Sequence, residues 1–203
     1  MLNIDDESYQ LPIHNYVNLE TDKKQIIIAN TFNNDMNHYV GWLNRYNGLY
    51  QKTAAYTITK NGKIYNHFNP KFYSKFMGVN MLNRQSIVIL LENEGWLLKD
   101  NENNEYINWI GDIYNQEKGI VEKRWRGYTY WASYTEKQII SLELLIKDLC
   151  DKFNIPLFVV NHNTKIDNIA IHSGVFYKSN FEKFYTDPTP AWDYNIFKNK
   201  IEE

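Results

Sequence analysis

The stretch S-I-V-I-L-L-E, from Ser86 to Glu92, decides how the rest of the chain has to be arranged. It is apolar almost throughout, rich in β-branched residues and short, which marks a strand buried on both faces. N-E-G-W, Asn93 to Trp96, closes it. Such a strand needs neighbouring strands and a covering layer on each face. Upstream, Q-I-I-I-A, Gln25 to Ala29, is a second run of the same kind. Between the two lies A-A-Y-T-I-T-K-N-G-K-I-Y-N-H-F, Ala54 to Phe68. Its two β-rich arms flank Asn61-Gly62, the pair preferred in a type I′ hairpin turn. Met36, Tyr39, Val40 and Leu43 fall at helical spacing within 34–46, and Asn47-Gly48 ends that helix. Residues 1–23 are polar with scattered aromatics and read as an N-terminal arm ahead of a domain spanning 24–203.

Downstream, residues 99–108 are polar and Asn-rich, which reads as a surface loop. They open a surface insertion, 99–130, that carries the basic knot K-R-W-R, Lys123 to Arg126, read as a solvated loop. Thr135 then opens a helix, with Gln138 placed to complete a capping box. Ile139, Leu142, Leu145, Ile146, Leu149 and Phe153 line one face of it, and Asn154 and Pro156 terminate it. Leu157 to Val160 reads as a fourth strand, leading into Asn161, His162 and Asn163. The expected fold class is α/β, a central mixed β-sheet with helices packed on it.

Composition narrows the function. The chain has 203 residues, 43% of them apolar and 16% aromatic, so it has a core to bury. A net charge of -2 provides no global field to hold it on nucleic acid or an anionic membrane. No stretch approaches the length of a membrane span. The opening M-L-N-I-D-D-E-S-Y is acidic and lacks the apolar run of a signal peptide, so synthesis in a host cytoplasm is expected. Cys150 is the sole cysteine and sits in the helical apolar pattern, as a small buried hydrophobe would.

Two places draw attention for chemistry. The five histidines, His14, His38, His67, His162 and His172, include no pair at zinc-motif spacing, so any metal site must join distant segments. His162 is the best placed, just beyond an inferred strand end, whereas His38 reads as a helix-surface residue. Near the C-terminus, Y-T-D-P-T-P-A-W-D, Tyr185 to Asp193, stiffens the backbone around one carboxylate. Asp187 there is either a metal ligand held in place or part of a turn into the last helix.

Taken in order, Q-I-I-I-A-N-T, Y-T-I-T-K-N-G-K-I-Y, S-I-V-I-L-L-E-N-E-G-W-L, Y-T-E-K-Q, V-V-N-H-N and T-D-P-T-P-A-W-D resemble the zinc-dependent N-acetylmuramoyl-L-alanine amidases. The resemblance runs from Lys24 to Phe197. It implies cleavage of the amide between the glycan's lactyl group and the stem peptide, by a zinc that polarises the carbonyl and activates water. It also implies three ligands: a His after the first strand, a His after the late strand, and a Cys or Asp in the terminal turn. Here the last two fall on His162 and Asp187. The first falls on Ala29, or on Asn30 with a slip of one residue, and neither is a good zinc ligand. The family's catalytic Glu or Tyr falls on Leu90 or Ala54, and its oxyanion Lys on Tyr185. Glu92, two residues along the strand from Leu90, and Tyr185 are then the candidate catalytic groups, and His162 with Asp187 an incomplete metal site. Zinc binding is expected to be weak or absent. The resemblance implies peptidoglycan fragments or phage structural proteins as partners. Three functions follow: a non-hydrolytic peptidoglycan-binding protein, an active amidase with substituted ligands, or a virion component of a phage tail or baseplate.

Overall fold

The computed structural model describes residues 2–161 and 164–202. Its centre is a six-stranded sheet in the order β1 (Ile4–Asp5), β4 (Ile64–Asn66), β3 (Tyr56–Ile58), β5 (Ser86–Leu91), β2 (Gln25–Asn30) and β10 (Gly174–Tyr177). β2 and β5 are the two continuous apolar runs. They pair in parallel from Gln25 opposite Ser86 to Asn30 opposite Leu91, and every residue of both is buried. Burial on both faces is why neither run alternates. β3 and β10 flank them in parallel, and the β3–β4 hairpin is the one antiparallel pair, so the sheet is mixed.

One face is covered by α3 (Glu136–Phe153). Its capping box forms as the sequence implies: Gln138 N–H donates to the Thr135 hydroxyl at 3.2 Å, and Thr135 N–H donates to Gln138 Oε1 at 3.1 Å. Leu142, Leu145, Ile146 and Leu149 are wholly buried beneath it. α4 (Tyr194–Glu202) lies alongside, with Lys147 Nζ donating to the Lys200 carbonyl. The other face carries α1 (Asn37–Asn44), with His38 and Trp42 turned inward. α2 (Asn80–Gln85) leads directly into β5. The N-terminal residues follow the sheet edge: Ile4–Asp5 forms β1, Leu11 is buried, and Val17 bridges Tyr73.

Several local expectations change. The 99–108 segment is not a loop. It belongs to a second, antiparallel sheet ordered β7 (Glu105–Ile107), β6 (Trp96–Asp100), β9 (Tyr128–Ala132) and β8 (Ile120–Trp125). This sheet has its own small core of Leu97, Tyr114 and Ala132. K-R-W-R is likewise the end of β8 and its turn. The hairpin turn is not type I′, which needs positive φ at both central residues. Only Gly62 has it, at +84°; Gly62 N–H bonds the Thr59 carbonyl and Thr59 N–H the Lys63 carbonyl. Leu157 to Val160 makes a single bridge, Val159 to Val175, and no strand. Phe158 N–H turns back to the Pro156 carbonyl at 2.8 Å, which bends the chain away from continued pairing.

Candidate functional site

The strand ends at Asn30 and Leu91 organise the candidate site. Residues paired across neighbouring strands share a face. Ala29, Leu90 and Thr57 therefore stand in one row on the α1 side of the sheet. Asn30 points to the opposite side, where the Tyr134 hydroxyl donates to its Oδ1 at 2.9 Å. Tyr134 in turn accepts from Thr189 N–H at 2.8 Å, which ties the terminal turn to the start of α3.

Asp187 is buried at the end of β2. Its Oδ2 accepts from Asn30 N–H at 3.1 Å and lies 3.6 Å from Lys178 Nζ. Burial pushes its carboxyl above the ordinary carboxylate value, while Lys178 and the Asn30 N–H pull the other way. Lys178 directly follows β10, and its ammonium also sits over the rings of Tyr185 at 4.5 Å and Phe76 at 4.9 Å. The Asn30 amide nitrogen is buried with no hydrogen-bond partner among the described residues.

The row's third residue is tied into a buried chain of polar groups. His67 Nδ1 lies 2.9 Å from the Tyr9 carbonyl, which can only accept, so Nδ1 carries the proton and Nε2 is bare. The Thr57 hydroxyl, 2.8 Å from that Nε2, must then donate to it and accept from His38 Nε2–H at 3.0 Å. His38 Nδ1 is left as a buried lone pair without a partner. Burial, reinforced by each ring's position near the other, holds the His38 imidazole down to about 3, and burial holds His67 down to about 4. His38 is thus a core residue and not a helix-surface one. Its partner, Thr57, comes from another element, so helical position alone could not reveal it.

Glu92 is also buried, and backbone occupies both its oxygens: Oε1 accepts from Asp35 N–H at 2.7 Å and Oε2 from Lys60 N–H at 2.8 Å. Tyr185 lines a groove of about 590 Å³ with Met77, Leu82, Ile166, Ile169 and Phe181. Arg126, from the β8–β9 turn, fixes the backbone beside this groove. Its guanidinium donates to the carbonyls of Ser179 at 3.1 Å and Glu182 at 3.0 Å, and to that of Tyr185. The structure therefore brings Tyr185 and Asp187 together around Lys178 and leaves Glu92 on a separate backbone anchor. His162 lies outside the described residues. Lys178 and Arg126 were missed by sequence reasoning. The signal for Lys178 was G-V-F-Y, Gly174 to Tyr177, a short apolar run that is β10.

The family model for N-acetylmuramoyl-L-alanine amidases matches residues 13–183. The chain belongs to this amidase family. The match stops just short of Asp187. No curated protein matches the chain in sequence. Among solved structures, the N-acetylmuramoyl-L-alanine amidase LysC from Clostridium intestinale superposes with a TM-score of 0.56 at 13% identity, over 100% of this chain and 99% of that one. A mutant endolysin from Bacillus subtilis gives 0.56 at 17% identity, over 99% of each chain. AmiD from E. coli, solved with a muropeptide substrate, gives 0.55 at 17% identity, over 97% of this chain and 65% of that one. At these identities the likeness establishes the amidase fold.

Members of the family typically use zinc, and the described residues do not fit one. Ala29, on which the resemblance sets the first ligand, offers a methyl group. Asp187 offers a carboxylate already flanked by an N–H donor and an ammonium. Asn30 presents an unpaired donor, which a cation does not satisfy. Among the described residues no cluster of three or more His, Cys, Asp or Glu side chains could hold a metal ion.

Proposed function

We propose that this chain is a peptidoglycan-binding amidase relative that has lost zinc-dependent hydrolysis, and that it holds muropeptide fragments without cutting them. One observation carries the reading: Lys178 Nζ lies 3.6 Å from Oδ2 of Asp187, the residue on which the resemblance sets the family's terminal ligand. An ammonium supplies the charge that neutralises the carboxylate, but it has no open coordination position for water. The row Ala29, Leu90 and Thr57 adds no ionised group that could replace a ligand or a general base. The groove beside Tyr185 offers apolar walls with Lys165, Asp167 and Glu182 at its rim, a lining suited to a short peptide carrying charges of both signs.

The test uses purified peptidoglycan and protein prepared without chelator. We expect the protein to sediment with the walls, to release no amines above the blank, and to carry no stoichiometric zinc. Amine release that disappears in His162→Ala would establish an active amidase and overturn the proposal.

A further inference from the structure

A second cleft lies at the opposite end of the same strands. It measures about 910 Å³ and is lined by residues ahead of β2, at the end of α2 and at the end of α3. Six-residue strands separate it from Asn30 and Leu91 by roughly 20 Å, so it is distinct from the groove beside Tyr185. Five cations line it, Lys23, Lys24, Lys71, Arg84 and Lys152, against two carboxylates, Glu20 and Asp22. That local excess of positive charge sits on a chain whose net charge is -2.

Lys23 sits at the base of this cleft without a carboxylate partner among the described residues. Its side chain is buried, yet its ammonium is held only by neutral oxygens: Thr21 Oγ1 at 2.9 Å, the Phe72 carbonyl at 2.7 Å and the Arg84 carbonyl at 2.9 Å. Arg84 and Lys23 share the ring of Tyr73, at 5.8 and 5.9 Å from its centroid. Two like charges on one ring, one of them buried, are unfavourable unless something negative faces them. Burial and the Arg84 charge accordingly hold Lys23 down to about 7. The carboxylate of Glu20 is spent in part on Lys71, at 3.7 Å.

We infer that this cleft binds a phosphodiester polymer of the cell wall, a chain of polyol phosphates, as a second contact beside the muropeptide groove. The choice rests on the wall-binding reading of the groove. The volume exceeds what one phosphate needs, and Lys24, Lys71, Arg84 and Lys152 in its lining are all exposed. Single-stranded nucleic acid is disfavoured because the lining holds a single aromatic residue, Phe153, and so no platform for stacked bases. Two weak contacts on one polymer network would reinforce each other without any new interaction.

The experiment measures binding of the full chain to synthetic poly(glycerol phosphate) over a range of salt, with Lys24→Gln/Lys71→Gln/Lys152→Gln as the variant and circular dichroism as the folding control. The wild type should bind with affinity falling steeply as salt rises. The variant should bind at least about tenfold more weakly, with a salt slope smaller by about 2. No binding by the wild type, equal binding by the variant, or tighter binding to single-stranded DNA of matched length would each overturn the inference. Peptidoglycan stripped of its phosphate polymers separates the two sites. Loss of binding to stripped wall with polymer binding intact refutes the groove reading alone, and the reverse refutes the cleft alone.

Discussion

Replacing Thr57 with Val removes one oxygen from the buried chain that links His38 to His67 and keeps the shape of the side chain. The change strands two groups at once. His38 Nε2–H loses its acceptor and His67 Nε2 loses its donor. An unsatisfied buried polar group costs roughly 1–3 kcal/mol, so the variant should lose about 2–6 kcal/mol. Neither ring can escape by taking up a proton, because burial holds them down to about 3 and about 4. The same depression fixes the pH dependence of the wild type. Both folded values lie below the ordinary 6.5, so the stabilisation is complete above pH 6.5 and is lost as pH falls through the window toward 4 and then 3. At about 1.4 kcal/mol per unit, His67 and His38 account for at most about 4 and about 5 kcal/mol of acid destabilisation. Urea unfolding across this pH range measures both effects. A Thr57→Val variant within about 0.5 kcal/mol of wild type at neutral pH would refute the inferred hydrogen-bond chain. Imidazole proton signals titrating near 6.5 would refute the buried neutral state.

Other predictions concern the two binding regions. Arg126→Ala releases the carbonyls of Ser179, Glu182 and Tyr185 together; it should cost about 2–3 kcal/mol and speed amide exchange across 179–187, read by mass spectrometry. Ala29→His combined with Lys178→Met adds an imidazole and removes the ammonium beside Asp187, so on the proposed reading zinc retained through gel filtration should rise well above wild type; no gain would count against Lys178 as a stand-in for a metal. Lys23 has a folded value of about 7 against an ordinary 10.5, so wild-type stability should rise as pH increases through that window. Lys23→Met should flatten that rise in thermal melts, and an unchanged slope would place the titration on another group.

Legibility in the sequence followed the range of the forces involved. β2 and β5 could be read because continuous β-branched runs report burial directly, and α3 because its cap and apolar stripe are local. The second sheet could not. Its strands are half-exposed and carry Lys, Arg, Glu and Asp among the aromatics, so neither alternation nor an apolar run marks them. Gly95 marks its junction with the main domain: it has φ +80°, and a Cβ there would stand 2.5 Å from the Phe32 ring. The contact is invisible until Phe32 is folded against it. At the site, Asp187 and Tyr185 both lie against Lys178. The cation between them could not be read, because β10 was not recognised and Lys178 had no strand to position it. His38 comes from α1, Thr57 from β3 and His67 from just beyond β4, and their coupling depends on the sheet register.

Arg126 has a consequence for how this protein can change over time. It grips the 179–185 segment through three main-chain oxygens and no side chain of that segment. Any residue except one that distorts the backbone offers the same oxygens. Selection can therefore rewrite the side chains facing the groove, and with them what the groove prefers, while the path of the segment is held by an arginine from another sheet. A fold that holds a groove segment with such a side-chain-blind clamp is well placed to diverge in ligand without having to rebuild its site.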